Sequence, residues 1–403
     1  MSLTRRDLLV GASVIAGASM WPAAARAKAL RDGELLPDPD FSQLRDKDPY
    51  LIGVRPYRPG GVRLEVVPEP LGGKRIIHNY GHGGAGITLS WGCASVATDL
   101  MQGLLATSTT PPSVAVLGTG IIGLTTATEL RRRWPRMPIT VYAKSLDLTT
   151  TVSWVAGGQF EPSGMHRLYT TPEAKNVLAD YMRRSRDRIV ELQNSGNRQA
   201  FGVAVRKNYT LDRQVPALDV VTPRDVVGAP VRGSLPFKNL NAPGREYQTW
   251  LMTPAILMPK LVTDLQSAGV RFEARTFESA ADVAQLPATV VVNCTGYGAK
   301  QLFGDKSLIA QRGHNVVLKK TDERQHYFFS GGCANWVIAY AFCRQDDIVI
   351  GGTIQKDLES PAHTSADEAI FARLLANGRE LFAGNTKACV APTGEADSSA
   401  PAR

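Results

Sequence analysis

The sequence predicts a two-domain α/β fold, with one domain built on a helix-covered parallel sheet and the other on a mixed sheet. Three observations predict it. The chain has 403 residues and is 43% apolar, which suits two cores better than one. Val114–Leu117, the glycine turn Gly118–Gly123, a helical run Leu124–Arg133 and Ile139–Tyr142 follow one another as strand, turn, helix and strand, the order of a parallel βαβ unit. Downstream, His326–Ser330, Trp336–Cys343 and Ile348–Ile350 are short β-rich runs, as expected of antiparallel strands.

The fold starts after a leader. Thr4-Arg5-Arg6-Asp7-Leu8-Leu9 is an arginine pair followed by apolar residues, Leu8 to Pro22 is a short apolar stretch, and Ala25-Arg26-Ala27 offers small residues for cleavage before Lys28. Residues 1–27 therefore read as a twin-arginine export signal, and a periplasmic or secreted location is expected. That route carries folded proteins, often with a cofactor already bound. The formal net charge is +9 and it is dispersed: Arg131–Arg133 and Arg183–Arg188 belong on solvated helix faces. No basic stripe with interleaved aromatics appears, so nucleic acid is excluded as a partner. Cys93, Cys294, Cys333, Cys343 and Cys389 form no CxxC and no metal-spaced set, which leaves room for one disulfide or at most two. Beyond the leader no run of 18 apolar residues occurs.

The remaining elements follow in order. Residues 28–52 read as a linker with a short strand or turn. Gly53 to Val67 is extended, Arg75 to Asn79 is a strand, Gly81-His82-Gly83-Gly84-Ala85-Gly86 is a second glycine turn, and Ile87 to Leu105 has helical periodicity. Thr171 before Pro172 opens an amphipathic helix closed by Gly196, and Thr253-Pro254 opens another ending at Gly269. Val270–Arg275 and Val290–Asn293 are strands, and Asp367–Phe382 is a last helix. Residues 385–403 are small, polar and Pro-containing, a disordered tail.

The chemistry sits in the glycine turns. Gly118-Thr119-Gly120-Ile121-Ile122-Gly123 lies between a strand and a helix. It lets a pyrophosphate approach the helix N-terminus, where free N–H groups and the dipole favour anions. No Lys-Ser/Thr follows, so it is not a triphosphate loop. The acidic residue that would hold a ribose after the second strand is missing, and Lys144 stands there. A cation at that place suits a 2′-phosphate, so a nicotinamide enzyme stays open on this residue alone. His78 and His82 lack a third ligand at useful spacing and are expected to be structural.

Ile77-His78-Asn79-Tyr80-Gly81-His82-Gly83-Gly84-Ala85-Gly86-Ile87-Thr88, continuing to Trp91-Gly92-Cys93, closely resembles the C-terminal signature of the D-amino acid oxidase family. Gly53-Val54-Arg55-Pro56-Tyr57-Arg58-Pro59 resembles the same family's arginine segment. The resemblance covers almost everything from Gly53 to Thr353. It implies a D-amino acid oxidase-like fold, with a Rossmann-type FAD-binding domain and a mixed-sheet substrate domain, and FAD as cofactor. It implies that Arg55 grips the substrate carboxylate, a task that suits a planar, bidentate guanidinium. Tyr340 would bind the same carboxylate, and Trp336 would be the aromatic that covers the pocket. Arg58 and Arg63 are expected in structural ion pairs.

For the cofactor, the resemblance implies contacts from Gly83 to Thr88 and from Gly118 to Gly123. It adds Lys144, the Thr149-Thr150-Thr151 and Gly157-Gly158 stretch around the flavin, and Phe277 and Thr295 beside the adenine, while Gln311-Arg312-Gly313 matches the family segment that follows. The activity implied is oxidation of D-amino acids to imino and then oxo acids, with hydride passing to flavin and oxygen reduced to peroxide. A dehydrogenase feeding a carrier and a flavin-binding protein without turnover are the alternatives. Expected partners are a D-amino acid, molecular oxygen and the twin-arginine export machinery, with a homodimer allowed.

The order of segments departs from the family, whose glycine-turn βαβ unit opens the chain while the arginine and YGHGG segments close it. Here those two come first, which reads as a circular permutation. The helix from Ile87 to Leu105 would span roughly 28 Å at 1.5 Å per residue, enough to cross the sheet edge to edge. The resulting division is FAD-binding segments at 53–165 (a permuted part at 53–105 and the βαβ part at 113–165), substrate domain at 166–268, FAD-binding return at 269–320 and substrate domain at 321–384.

Overall fold

The computed structural model describes residues 30, 33–106, 112–195, 199–211, 225–331 and 340–386. Strands β1 (Tyr50–Tyr57), β2 (Arg63–Val66) and β3 (Arg75–Tyr80) lead into helix α1 (Gly86–Ala106). Strand β4 (Val114–Leu117), helix α2 (Ile121–Arg133) and strand β5 (Ile139–Ala143) follow, then α3 (Pro172–Asn194), β6 (Val203–Leu211), β7 (Val231–Ser234) and β8 (Pro243–Met252). Next come α4 (Pro254–Ser267), β9 (Arg271–Ala274), α5 (Ala280–Ala284), β10 (Val290–Asn293) and α6 (Ala299–Leu302). The last elements are β11 (Ile309–Lys319), β12 (Tyr327–Ser330), β13 (Tyr340–Cys343), β14 (Asp347–Gly351), β15 (Gln355–Lys356) and α7 (Ser365–Phe382).

One sheet has the order β2-β3-β10-β4-β5-β9. All its pairs are parallel except the edge pair β2–β3. The VAVL of β4 and VVVN of β10 are buried throughout, the continuous apolar run expected of a parallel strand covered on both faces. On one face Ile77, Val116 and Val292 pack with Leu89, Leu124 and Leu261 of α1, α2 and α4. On the other, Ile76, Leu117 and Val291 pack with Val283 and Leu286.

The second sheet runs β1-β11-β14-β13-β12-β6-β8-β7, with β15 on β11. It is antiparallel apart from β12–β6, and α7 closes its far face through Phe371, Leu374 and Phe382. The chain therefore has the α/β architecture of a parallel and a mixed sheet that the sequence implies. Among the described residues no helix is long and apolar enough to cross a membrane.

Three features differ from the sequence reading. The described part of the 28–52 linker is packed, because Phe41 is 5% exposed and its ring takes the space beside Gly378 of α7. Leu36 bridges Phe237, and the Tyr327 hydroxyl donates to the Pro37 carbonyl (2.7 Å). Second, β1 and β11 pair with each other along eight residues in the larger sheet, although 53–57 and 309–319 fall within segments read as FAD-binding. Third, β6, β7 and β8 had no counterpart in the sequence reading. Of the cysteines, Cys93, Cys294 and Cys343 are free and buried, so no disulfide joins them. Cys333 and Cys389, residues 1–27 and the tail beyond Thr386 lie outside the described residues.

Candidate FAD and substrate site

Two helices begin side by side at the C-terminal ends of the parallel strands. The chain leaves β4 at Gly118 with φ +109°, and a Cβ there would lie 2.7 Å from the Cys294 carbonyl oxygen. At Gly123 a Cβ would come within 2.0 Å of the Gly118 carbonyl oxygen, so this glycine lets α2 seat against its strand. Gly120 is different: only Ser153 Oγ, 3.4 Å away, approaches its Cβ position. Ser153 Oγ accepts from the Ile121 N–H (3.1 Å), and the Thr119 hydroxyl donates to the Ser145 carbonyl (3.4 Å).

The second turn uses positive φ at Gly81 (+88°) and Gly83 (+53°). A short 3-10 turn over Gly83–Ala85 then leads into α1 at Gly86. Ile121 Cγ2 lies 3.9 Å from the Cβ position of Gly86, so the two helix starts touch. Ile87 and Thr88 are buried in the first turn of α1. The Thr88 hydroxyl donates to the Glu161 carbonyl (2.7 Å), and its oxygen accepts from the Glu161 N–H (2.8 Å). Burial pushes the Glu161 carboxyl up to about 7.

The connecting segment is shaped by its own caps. Asp147 accepts from the Thr149 N–H (3.0 Å) and hydroxyl (2.7 Å), while the Thr150 and Thr151 hydroxyls donate to the carbonyls of Asp147 and Leu148. Gly157 lies against the Phe342 ring, where a Cβ would sit 2.6 Å from the nearest carbon. Gly158 (φ +87°) leaves no room for a Cβ beside the Met252 carbonyl. Lys144 is exposed at the end of β5. Phe277 meets Tyr142 edge-on at 6.0 Å, and the Thr295 hydroxyl donates to Asn293 Oδ1 (2.7 Å) at the end of β10.

Arg55 and Tyr340 converge beside this turn from different strands. Arg55 projects from β1 across Gly313, whose Cβ would be 2.4 Å from Nη1, and its Cδ is 3.8 Å from the Cβ position of Gly84. Its Nη1 donates to the Thr353 carbonyl (3.0 Å). The Tyr340 hydroxyl donates to Asn315 Oδ1 (2.6 Å), and its ring stacks on Phe342 at 4.3 Å. Burial pushes the Tyr340 phenol up, while the positive charge of the nearby Arg55 guanidinium pulls it down. Gly351 is forced here, since a Cβ would sit 2.6 Å from the Tyr340 oxygen. Trp336 lies outside the described residues.

Residues 113–397 match the family of FAD dependent oxidoreductases described as DAO. The chain belongs to that family. Among curated relatives, it is 53% identical over 53 residues to the D-amino-acid oxidase of Streptomyces coelicolor, which is 13% of this chain and only 15% of that protein's length. It is 25% identical over 255 residues to the D-aspartate oxidase of Homo sapiens, covering 60% of this chain and 69% of that protein. A solved structure of glycine oxidase from Geobacillus kaustophilus aligns at a TM-score of 0.46 and 15% identity, over 66% of this chain and 77% of that one.

The family's cofactor, FAD, fits these residues. The two adjoining helix starts have positive dipole ends that would suit a pyrophosphate and a flavin ring that takes up charge, and Gly120 leaves the approach clear. Beside Gly86, buried His82 keeps a ring nitrogen without a partner.

Other charged and polar residues near these segments serve the scaffold. Arg312 forms a buried pair with Asp367 (Nη2 to Oδ2, 2.8 Å), which also accepts from the Thr364 hydroxyl at the start of α7. Arg58 pairs with Asp305 and Arg63 with Glu65, as read from the sequence. His78 contacts Asn293, and no cluster of metal-ligating side chains occurs among the described residues.

Sequence reading missed Asn315, Ser153 and Thr353. Each is a common polar residue whose role depends on a partner far along the chain. The Thr353 hydroxyl meets His314 Nδ1 (2.8 Å), and His314 Nε2 meets Asp367 Oδ1 (2.9 Å). The Arg55 anchor thus continues into the buried Arg312–Asp367 pair.

Proposed function

We propose that the protein oxidises D-amino acids to imino acids, which water hydrolyses to oxo acids, with oxygen reoxidising the cofactor and giving peroxide. The observation that carries this reading is that the Arg55 guanidinium lies near enough to the Tyr340 phenol to act on its charge, with Arg55 against Gly84 and Tyr340 against Gly157. FAD, when bound, supplies the acceptor for the hydride leaving the substrate α-carbon. Arg55 offers a planar fork to the substrate carboxylate, and its bond to the Thr353 carbonyl fixes the plane of that fork. Tyr340 turns its hydroxyl from Asn315 to the second carboxylate oxygen, while Asn315, held by the Val155 carbonyl (2.7 Å), keeps the phenol in place. Anchoring one end of the substrate aims the α-hydrogen and lowers the entropic part of the barrier. A neutral substrate amine needs no protein base.

Anaerobic addition of single D- and L-amino acids to the FAD-loaded protein tests this. Bleaching of the flavin by D-enantiomers alone is expected. Bleaching by L-enantiomers alone, or by none, overturns it. Peroxide formed on admitting air separates an oxidase from a dehydrogenase that passes electrons to a carrier.

Two further readings belong to the same proposal. The Arg5-Arg6 pair and Ala25–Ala27 support twin-arginine export to the periplasm, and precursor retained in the cytoplasm after both arginines become lysine is the expected result. The early position of the Arg55 and Gly81–Gly86 segments supports a circularly permuted gene order. A chain rebuilt to start at Ser113 and end after the Gly86–Ala106 helix is expected to bind FAD.

A further inference from the structure

Strand β11 stands between the Arg55–Tyr340 pair and helix α7. Successive residues of a strand point to opposite faces, and β11 uses both. Gly313 and Asn315 face the pair: Arg55 crosses Gly313, and the Tyr340 hydroxyl donates to Asn315 Oδ1 (2.6 Å). Arg312 and His314 face α7, where both meet Asp367. His314 is fully buried, and its ring meets Phe371 of α7 edge-on at 5.4 Å. It offers no surface to a substrate.

The two ring nitrogens have fixed roles. Arg312 Nη1 spends its hydrogens on Asp367 Oδ1 and Gln355 Oε1. His314 Nε2 therefore carries the hydrogen that meets the Asp367 carboxylate (2.9 Å), which can only accept. Burial holds the imidazole below its ordinary value despite the pull of Asp367, so the ring is neutral and Nδ1 is a bare acceptor. The Thr353 hydroxyl donates to Nδ1 (2.8 Å) and accepts from the His314 backbone N–H (2.8 Å). The backbone carbonyl of the same threonine accepts from Arg55 Nη1 (3.0 Å). Gly352, just before it, has φ +124° and no side chain to brace the turn, so the hydroxyl is the side-chain anchor of that carbonyl.

We propose that His314 is a positioning residue for the carboxylate clamp: by holding the Thr353 hydroxyl from behind the sheet, it sets the direction of the Thr353 carbonyl and so of the Arg55 fork. The inference rests on the reading of Arg55 as the group that grips the substrate carboxylate. A neutral imidazole suits the task because it gives a donor to α7 on one side and an acceptor to Thr353 on the other.

Two replacements split the ring. His314→Asn keeps an acceptor near the place of Nδ1 and loses the reach to Asp367. His314→Gln keeps the reach to Asp367 and loses Nδ1. Butyrate, a carboxylate with no amine to oxidise, is titrated into each FAD-loaded protein, and its Kd is read from the change in flavin absorbance. His314→Gln is expected to weaken binding by about three- to tenfold, the range of one neutral hydrogen bond, and His314→Asn to recover most of that loss. Urea midpoints should run the other way, lower in His314→Asn, which gives up the bond to a carboxylate. Thr353 is half-buried and supplies a second pair if a His314 variant folds poorly: Thr353→Val is expected to weaken butyrate as His314→Gln does, and Thr353→Ser to restore it. Unchanged affinity in both His314→Gln and Thr353→Val, or affinity that follows stability through the series, overturns the proposal. Arg55→Ala is the control. Butyrate bound as tightly without that guanidinium overturns the clamp itself, whereas loss in Arg55→Ala without loss in His314→Gln overturns only the role of His314.

Discussion

Arg55→Ala separates substrate from cofactor. Loss of a charge-assisted hydrogen bond costs about 1.5–3 kcal/mol, so kcat/KM should fall by roughly tenfold to more than a hundredfold. Arg55→Lys should recover part of that, since ammonium keeps the charge and loses the fork. Tyr340→Phe should cost less than Arg55→Ala, because it removes one neutral bond. Flavin content is expected to stay normal in all three, and loss of flavin from the Arg55→Ala protein would reassign this arginine to the cofactor. Asp367→Asn is a different kind of change. It leaves Arg312 buried and unpaired, a loss of about 3–5 kcal/mol that urea unfolding would show. Arg55 was singled out in the sequence because Gly53–Pro59 resembles the family's arginine segment, not by any local pattern of its own. Asn315 and Thr353 were not, because nothing local distinguishes a clamp-holding Asn or Thr from any other strand residue.

At the level of elements, the glycines of the first turn divide into two roles. Gly123→Ala puts a methyl 2.0 Å from a carbonyl oxygen, and overpacking of that kind costs about 1–3 kcal/mol or more. Its apoprotein should melt earlier. Gly120→Ala meets only a serine hydroxyl at 3.4 Å, so its apoprotein should melt normally while FAD affinity falls by about tenfold, ~1.4 kcal/mol. Equal loss of stability in both would refute the division. Both turns were readable because strand, glycine turn and helix each carry a local signal. Strands β6 to β8 were not, since their burial depends on Phe237, Tyr327 and other partners that only the tertiary fold supplies. The packed segment before β1 has no periodicity at all. Its anchor is one ring, and Phe41→Ala should cost about 3–5 kcal/mol, measurable as a lowered urea midpoint.

Over the whole molecule, two buried histidines set an acid limit. Burial holds His78 down at about 4 and His82 at about 3. Both stay neutral in the fold while the unfolded chain takes up protons below about 6.5. Their contribution is therefore complete above about pH 6.5 and is lost as the pH falls toward 4 and 3. Glu161, raised to about 7, and Asp38, raised to about 6, each hold one more proton in the fold than in the unfolded chain and offset the two histidines down to about pH 5. Urea midpoints should therefore change little from pH 7 to pH 5, and His82→Leu should tilt that slope toward greater stability at pH 5. An unchanged slope would remove His82 from the account.

The stretch from Gly157 to Glu161 joins both sheets through its backbone. Glu161 is tied to Thr88 on α1, the Phe160 N–H donates to Trp250 on β8, and Gln159 reaches Asn208 on β6. Gly157 and Gly158 press against Phe342 and Met252 with no clearance for a side chain. Neither half can swing without tearing this lace, so heating should give one cooperative transition in the calorimeter, with or without flavin, rather than two separate meltings.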